Sequence, residues 1–524
     1  MSDFAQAQYI IDEVLSGVRD MATDNNGVPP QNMASMSVRI GDSKVKLNFT
    51  EPENTVIDGQ LVCTTKGVIV VRKEGSMPES VTDGEVILIN ENLGAYKDTP
   101  FEDSGLVNEH EYYYRFFSYS DHGVFNLNTA NVIKATPKEY VLYGFRINKS
   151  DSNPATRIEY LEQAVGMTPA KMNFDTGEFE YGSWNPEEIF FLQNNYPAMV
   201  KSDGTEDYRL NPDDYTKRAD GSSSDVSNTS YDGNAMARFD TVWLYQYEDA
   251  SYEYCYICNI QLNENYHAYA HQREDGSIME YIWLSCFEGA LVSSKVRSIK
   301  GLTPMYSQTG ANEITYATNN GNLWYTRTWA QRNLVNMLLT LMARSDDSQT
   351  SYGYGYYTGG SSSSPNYLQT GFGSAKGRFY GSKANRDVVK VFHIENWWGS
   401  IWERIAGLMY VSGKIYTKMV KPYNTTGTGY TNTGVTMGGT SGGYCSVTKM
   451  TENGRLPVTM SGSQTTYTCD GGWFNSSQVD YAIVGGGCYN GFLCGASCVV
   501  LDVLVSYTGW GVGAALSCEQ PLAA

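Results

Sequence analysis

Apolar residues in this chain come in short bursts, each soon followed by glycine, serine, asparagine or proline. The segments "KVKLNFTEPENTVIDG", "GVIVVRKEG", "YYYRFFSYS", "EYVLYGFRI", "FDTVWLYQY", "YEYCYICNIQL" and "MEYIWLSCFEGALV" all have this form. β-Branched and aromatic residues bounded by turn formers read as strands. Forty tyrosines and fifty-two glycines extend the pattern along the whole chain. The expected fold class is therefore multidomain and β-rich. A length of 524 residues exceeds what one hydrophobic core holds and implies about three or four domains.

Charge narrows the partners. Only 18% of residues are charged and the formal net charge is −19. An acidic chain without a basic stripe is a poor ligand for phosphate backbones, so no nucleic-acid partner is expected. The opening "MSDFAQAQYIIDEVLSGVRD" has no basic region followed by an apolar core, so no secretory signal is expected. No run of about twenty apolar residues occurs, and no membrane insertion is expected. The most apolar stretch, "VGGGCYNGFLCGASCVVLDVLVSYTGWGVGAALS" over 484–517, is broken by glycines and by Asp502.

Ten cysteines (63, 255, 258, 286, 445, 469, 488, 494, 498 and 518) invite a metal or disulfide reading. The single C-x-x-C, Cys255 to Cys258, lies in a strand-like segment that points the two thiols to opposite faces. No second pair follows at zinc-ribbon spacing, so ordinary, partly buried thiols are expected. His267 and His271 in "HAYAH" would share one face of a strand, but no third ligand stands in register. Neither a metal nor another cofactor is expected.

Three segments carry helical spacing. In 3–22, Phe4, Ala7, Ile11, Val14, Val18 and Met21 alternate three- and four-residue steps, as a short coiled coil would. Thr328 caps an expected helix over 329–344, whose apolar face holds Leu334, Met337, Leu338, Leu341 and Met342. A further helix is expected over 394–408, "IENWWGSIWERIAGL". Between the last two lies "TSYGYGYYTGGSSSSPNYLQTGFGSAKG", a loop long enough to be functional or disordered.

Three stretches resemble known families. Leu106 precedes Tyr112 by six residues in "GLVNEHEYYYRFFSYSDHGVFN", which is similar to the tyrosine corner of fibronectin type III sandwiches, in particular those of phage tail fibres. "GSIWER", Gly399 to Arg404, resembles the Gly-Asn-Val-Trp-Glu-Trp run of C-type-lectin-like domains of the formylglycine-generating type; Arg404 departs from it. The 484–517 stretch resembles the variable region of retroelement-diversified proteins such as phage tropism determinants. The shared frame is Gly485 and Gly486, Gly495 and Ala496, Ser506, and a closing Val512–Leu516 strand with Gly513; Ala515 stands where arginine is common. With Trp402, these residues would hold the fold. The resemblance then makes Tyr489, Asn490, Phe492, Leu493, Ser497, Val500, Asp502, Val503, Tyr507, Gly509 and Gly511 the exposed, varying, ligand-binding set. Trp510 would belong to the core.

These readings combine into one expectation. The chain would have an oligomerising or attachment helix over 1–30 and a fibronectin III-like sandwich over 37–137. A β-rich module over 138–300 and an α+β C-type-lectin-like domain over 301–524 would follow. The function implied is receptor binding by a phage tail fibre. The receptor would be a protein or glycan on a bacterial surface, and other virion proteins would meet the N-terminus. The chain would be a homotrimer at the tip of the virion fibre. No catalysis is expected: the histidines at 110, 122, 267, 271 and 393 are scattered, and Glu395 with Glu403 would be structural on a helix. A glycan-depolymerising tail spike and a diversified bacterial surface-display protein are the alternatives.

Overall fold

A computed structural model describes residues 27–57, 59–475 and 478–522. The expected coiled-coil helix over 3–22 lies outside the described residues. Strand is the dominant element throughout. The described chain falls into two compact units, one running to Tyr140 and including Leu262–Glu264, the other made of Val141–Gln261 and the residues from Asn265 onward.

The first unit sets a three-stranded sheet (Ser35–Gly41, Lys44–Thr50, Phe101–Ser104) beside a four-stranded one (Glu85–Asn90, Thr65–Glu74, Tyr112–Ser120, Val132–Ala135). Val45, Leu47 and Phe49 alternate inward along their strand. They meet Val68, Val70, Tyr114 and Phe116 of the second sheet in one apolar cluster. The Tyr112 hydroxyl accepts a hydrogen bond from Val107 N at 3.1 Å, with Leu106 buried beside it. A side chain late in the fold thus ties down the corner before it.

In the second unit a seven-stranded sheet runs Asp214–Arg218, Glu206–Asn211, Pro197–Lys201, Gly233–Asp240, Tyr281–Ser285, Leu516–Glu519, Trp324–Thr326. The final strand of the chain is inserted between Tyr281–Ser285 and Trp324–Thr326, so the expected boundary at residue 300 does not divide the fold. An eight-stranded sheet carries Thr431–Thr436, Lys414–Thr417, Trp402–Val411, Val479–Val484, Val499–Leu501, Gly471–Phe474 and Gly442–Tyr444 in that order, with Val512–Gly513 added parallel to Trp402–Val411.

The helix Trp329–Ala343 forms as its spacing requires. Thr328 and Gln331 make a reciprocal capping box, and Arg344 ends the helix in the left-handed region at φ 49°. Every residue except Thr340 is buried, so the helix is a central post rather than a surface element. The segment 394–408 is not a helix. Ile394–Glu395 and Trp402–Val411 are strands, separated by a turn with positive φ at Asn396, Gly399 and Ser400. Trp402–Val411 is buried on both faces up to Val411, so apolar residues fill consecutive positions and mimic helical spacing. His267 and His271 do not share a strand face either. His267 bridges Leu244, while His271 ends the one-turn 3-10 segment Tyr269–His271 and is fully buried against the Phe239 carbonyl. The long Gly/Ser/Tyr loop is packed in part, with Tyr352, Tyr356 and Tyr357 in the interior while 361–364 and Phe372 are exposed. All ten cysteines are buried.

One charged knot fastens the second unit. The Asp346 carboxylate receives Arg455 Nη1 at 2.6 Å and Nη2 at 2.9 Å, and lies 3.1 Å from Arg157 Nη1. Arg455 Nε donates to Glu253 at 2.9 Å, and Thr448 Oγ1 donates to the other Glu253 oxygen at 2.6 Å. Two cations and two anions, none more than 4% exposed, cancel one another. Removing one member leaves the others buried and uncompensated. Asp346→Ala should therefore cost about 3–5 kcal/mol in urea-unfolding free energy; a loss under about 1 kcal/mol would show that the remaining charges are solvated or re-paired.

Candidate ligand-binding cleft

The strand Val479–Val484 ends at two glycines whose backbone no larger residue tolerates. Gly485 and Gly486 sit at φ 88° and 85°. A Cβ on Gly486 would stand 2.5 Å from Cys494 Sγ, and one on Gly485 would stand 3.0 Å from the Trp397 carbonyl. At Gly495 a Cβ would fall 1.8 Å from Asp470 Oδ1, and at Gly513 one would fall 2.3 Å from the Met305 carbonyl. Ala496 is buried, and its carbonyl accepts Arg332 Nη2 at 3.0 Å and Asn336 Nδ2 at 2.8 Å. The polar side of the central helix therefore grips the frame. Trp402 is buried with Ile483, Cys498, Val500 and Val512 in one cluster. Ser506 differs from the other frame residues: it is exposed, and nothing packs it into the core.

Above that cluster opens a concave cleft of about 530 Å³, lined by Trp402, Trp473, Gln478, Ile483, Tyr489, Asn490, Val500, Asp502, Val503, Leu504, Tyr507 and Val512. Its floor is Trp402 and Val500, 2% and 5% exposed. Its rim is Tyr489, Leu504 and Tyr507, each more than 40% exposed. Six residues of the expected ligand-binding set meet here: Tyr489, Asn490, Val500, Asp502, Val503 and Tyr507.

The other five stand elsewhere. Phe492 packs its ring against Tyr354 and Tyr357, at centroid separations of 5.4 and 4.9 Å. Leu493 covers Gly471. Ser497 N donates to Asp470 Oδ2 at 2.7 Å. Gly509 and Gly511 are buried, and their carbonyls accept Ser307 N and Trp402 N. Trp510, expected in the core, is half-buried between Tyr489 and Tyr367.

Sequence reasoning missed Trp473, Gln478, Ile483, Leu504 and Val512 as lining residues. The first three come from neighbouring strands that reach the site only through sheet pairing, Gly471–Phe474 parallel and Val479–Val484 antiparallel to Val499–Leu501. It also missed Arg404, which the lectin-like comparison marked only as a departure. Arg404 is buried and donates to the carbonyls of Val505 and Tyr507, both at 3.1 Å, while its Nε lies 2.9 Å from Glu313. The loop that presents Tyr507 is thus fastened from behind. Burial pushes the Glu313 carboxyl up to about 7, and the Arg404 charge opposes that rise.

The two carboxylates considered for catalysis are engaged in structure. Glu395 accepts the backbone N–H groups of Gly371 and Gly373, and Glu403 accepts Arg327 Nη1 at 2.9 Å. Compared with protein-family models and with curated proteins, the sequence matches none of them.

Acidic groups set the potential at the cleft. Asp502 is the charged residue among the described lining residues, and no lysine, arginine or histidine joins it there. Burial raises the Asp502 pKa from its ordinary value, and a backbone hydrogen bond opposes that rise, while part of the side chain stays open to solvent. Behind it Asp480 is buried, with neither carboxylate oxygen hydrogen-bonded among the described residues. Burial first, then repulsion from Asp502, pushes Asp480 up to about 6. An acid whose folded pKa exceeds its unfolded value favours the fold when protonated. Its penalty grows as pH rises from the unfolded value of about 3.9 and is complete above about 6. Asp480→Asn should raise the melting temperature at pH 7.5, by about 1–3 kcal/mol of stability, and the gain should shrink towards pH 4. A gain that is constant with pH would discard the buried-charge explanation.

Proposed function

We propose that the chain is the receptor-binding protein of a phage-type tail fibre, and that the cleft is where it meets its host. The observation that carries this reading is a separation of roles. The frame glycines Gly486, Gly495 and Gly513 are buried where a Cβ would collide, and Ala496 is buried beside them, while six of the residues expected to vary converge on one open cleft. The β-rich fold agrees with a sandwich spacer and a lectin-like head. Rigid tyrosines at a rim above an apolar floor have the composition of an interface hot spot. The engagement of Glu395 and Glu403 in structural contacts favours adhesion over glycan cleavage. Binding is weak per site and is multiplied by a trimeric fibre. The 1–30 segment joins the head to the rest of the virion, and the partner is a receptor on a bacterial surface.

Exchange of residues 484–517 for those of a relative with another host should redirect adsorption to that host. Tyr489→Ala with Tyr507→Ala should reduce adsorption at least about tenfold while leaving the melting temperature within a few degrees, because both rings are exposed. Unchanged adsorption, or release of oligosaccharide from host envelopes by the purified protein, would overturn the reading.

A further inference from the structure

We propose that the cleft receives a basic side chain, lysine or arginine, projecting beside an apolar residue from the surface of a protein. This rests on the reading of the cleft as a binding site and adds the chemistry of what enters it.

Three observations point the same way. The charge in the cleft is a carboxylate without a counter-ion: Asp502 has no cationic partner among the described residues, and none of the lining residues could supply one. Asp480 lies close enough for the two acids to repel each other. A concave, low-dielectric wall concentrates such a field and rewards a cation that completes it. The chain as a whole, at −19, works in the same direction. It discourages anionic ligands, including phosphate-bearing polymers and acidic capsules.

The second observation is aromatic. Trp402, Trp473, Tyr489 and Tyr507 line the same cleft as Asp502. Trp402 and Trp473 meet edge to face with centroids 6.0 Å apart. Aromatic walls combined with a carboxylate suit an ammonium or guanidinium group, because ring faces attract cations that have left water. The third is apolar area. Ile483, Val500, Val503 and Val512 offer no hydrogen bonds, so a ligand that is polar all over would forfeit its hydration there. A cleft of about 530 Å³ has the size of a small-ligand pocket and takes two or three side chains. A basic residue beside an apolar one satisfies the carboxylate, the rings and the floor together.

The test uses the full-length protein and four probes: the blocked dipeptides acetyl-Leu-Lys-amide, acetyl-Leu-Gln-amide and acetyl-Leu-Glu-amide, and maltose as a neutral sugar. Binding is followed by saturation-transfer NMR at low salt. The expected order is Lys over Gln over Glu, with lysine at least about fivefold tighter than glutamine. Asp502→Asn, a change at an exposed site, should abolish that preference, and Tyr507→Ala should weaken all three peptides. Equal affinities, a lysine preference that survives Asp502→Asn, maltose binding tighter than the lysyl peptide, or no peptide binding at about 10 mM would each overturn the proposal. Its failure differs from failure of the receptor-binding reading. If exchanging 484–517 redirects adsorption while the peptides bind without regard to charge, receptor binding stands and the basic ligand falls. If the lysine preference holds while adsorption ignores the exchange, the cleft keeps its chemistry and loses its role at the host.

Discussion

The Asp346 knot is the constraint on which the second unit depends. Its four charges come from segments far apart in sequence: Arg157, Glu253, Asp346 just beyond the central helix, and Arg455. Each is costly to bury alone, and together they are neutral. Asp346 and Arg455 can pair alone, but Arg157 and Glu253 stay uncompensated until their segments arrive, so the knot selects one arrangement of chain out of many that would bury similar apolar area. The apolar contacts around it are less particular. Hydrophobic burial is roughly indifferent to which aliphatic group meets which, whereas a bidentate guanidinium–carboxylate pair fixes direction as well as distance.

From that fixed point the helix Trp329–Ala343 transmits order to the cleft. Asn333 bonds Gln246 on one side, while Arg332 and Asn336 hold the Ala496 carbonyl on the other. Trp397 is engaged twice, its carbonyl by Arg332 Nη1 and its indole N–H by Asn336 Oδ1. Because these bonds end on backbone carbonyls or on buried side chains away from the rim, a change of rim side chain leaves them in place. Arg404 does the same from the opposite direction, through the carbonyls of Val505 and Tyr507. A carbonyl is present whatever the residue, so this anchorage is blind to the side chain that the loop displays.

Much of the fold was legible where a local signal had a single physical meaning. Thr328 followed by an apolar face gives a capped helix, and the helix is there, with Gln331 completing the capping box. The strand expected in "KVKLNFT" is there over Lys44–Thr50, with Val45, Leu47 and Phe49 buried in alternation. The error over 394–408 has a physical origin. A strand covered on both faces carries apolar residues at consecutive positions, as in 405–411, and any period can be read into such a run. What breaks the tie is the run of left-handed residues at Asn396, Gly399 and Ser400, and the sequence marks only the glycine. Long-range pairing left no local trace at all. Leu516–Glu519 lies beside Tyr281–Ser285 across more than two hundred residues, and no periodicity in either strand announces the other. The cleft was half legible for the same reason: its residues from 489–507 are neighbours in sequence, while Trp473, Gln478 and Ile483 become neighbours through the sheet.

Burial also limits which of the converging positions can change freely. Tyr489, Asp502 and Tyr507 are exposed, so a substitution there alters the open face of the cleft more than its core. Val500 is different, since it lines the cleft from below while packing with Trp402, Ile483 and Cys498. Enlarging it would overpack the floor and shrinking it would leave a void, each at a cost of about 1–3 kcal/mol. Tyr489 carries a smaller constraint of its own, because its ring lies where a Cβ on Gly511 would intrude, at 2.8 Å. The cleft therefore has a graded structure, with an exposed rim, a packed floor and close-fitting glycines beneath. Under the receptor-binding proposal, ligand preference would be adjusted from the edge inward, since the edge is where a change in chemistry costs the fold least.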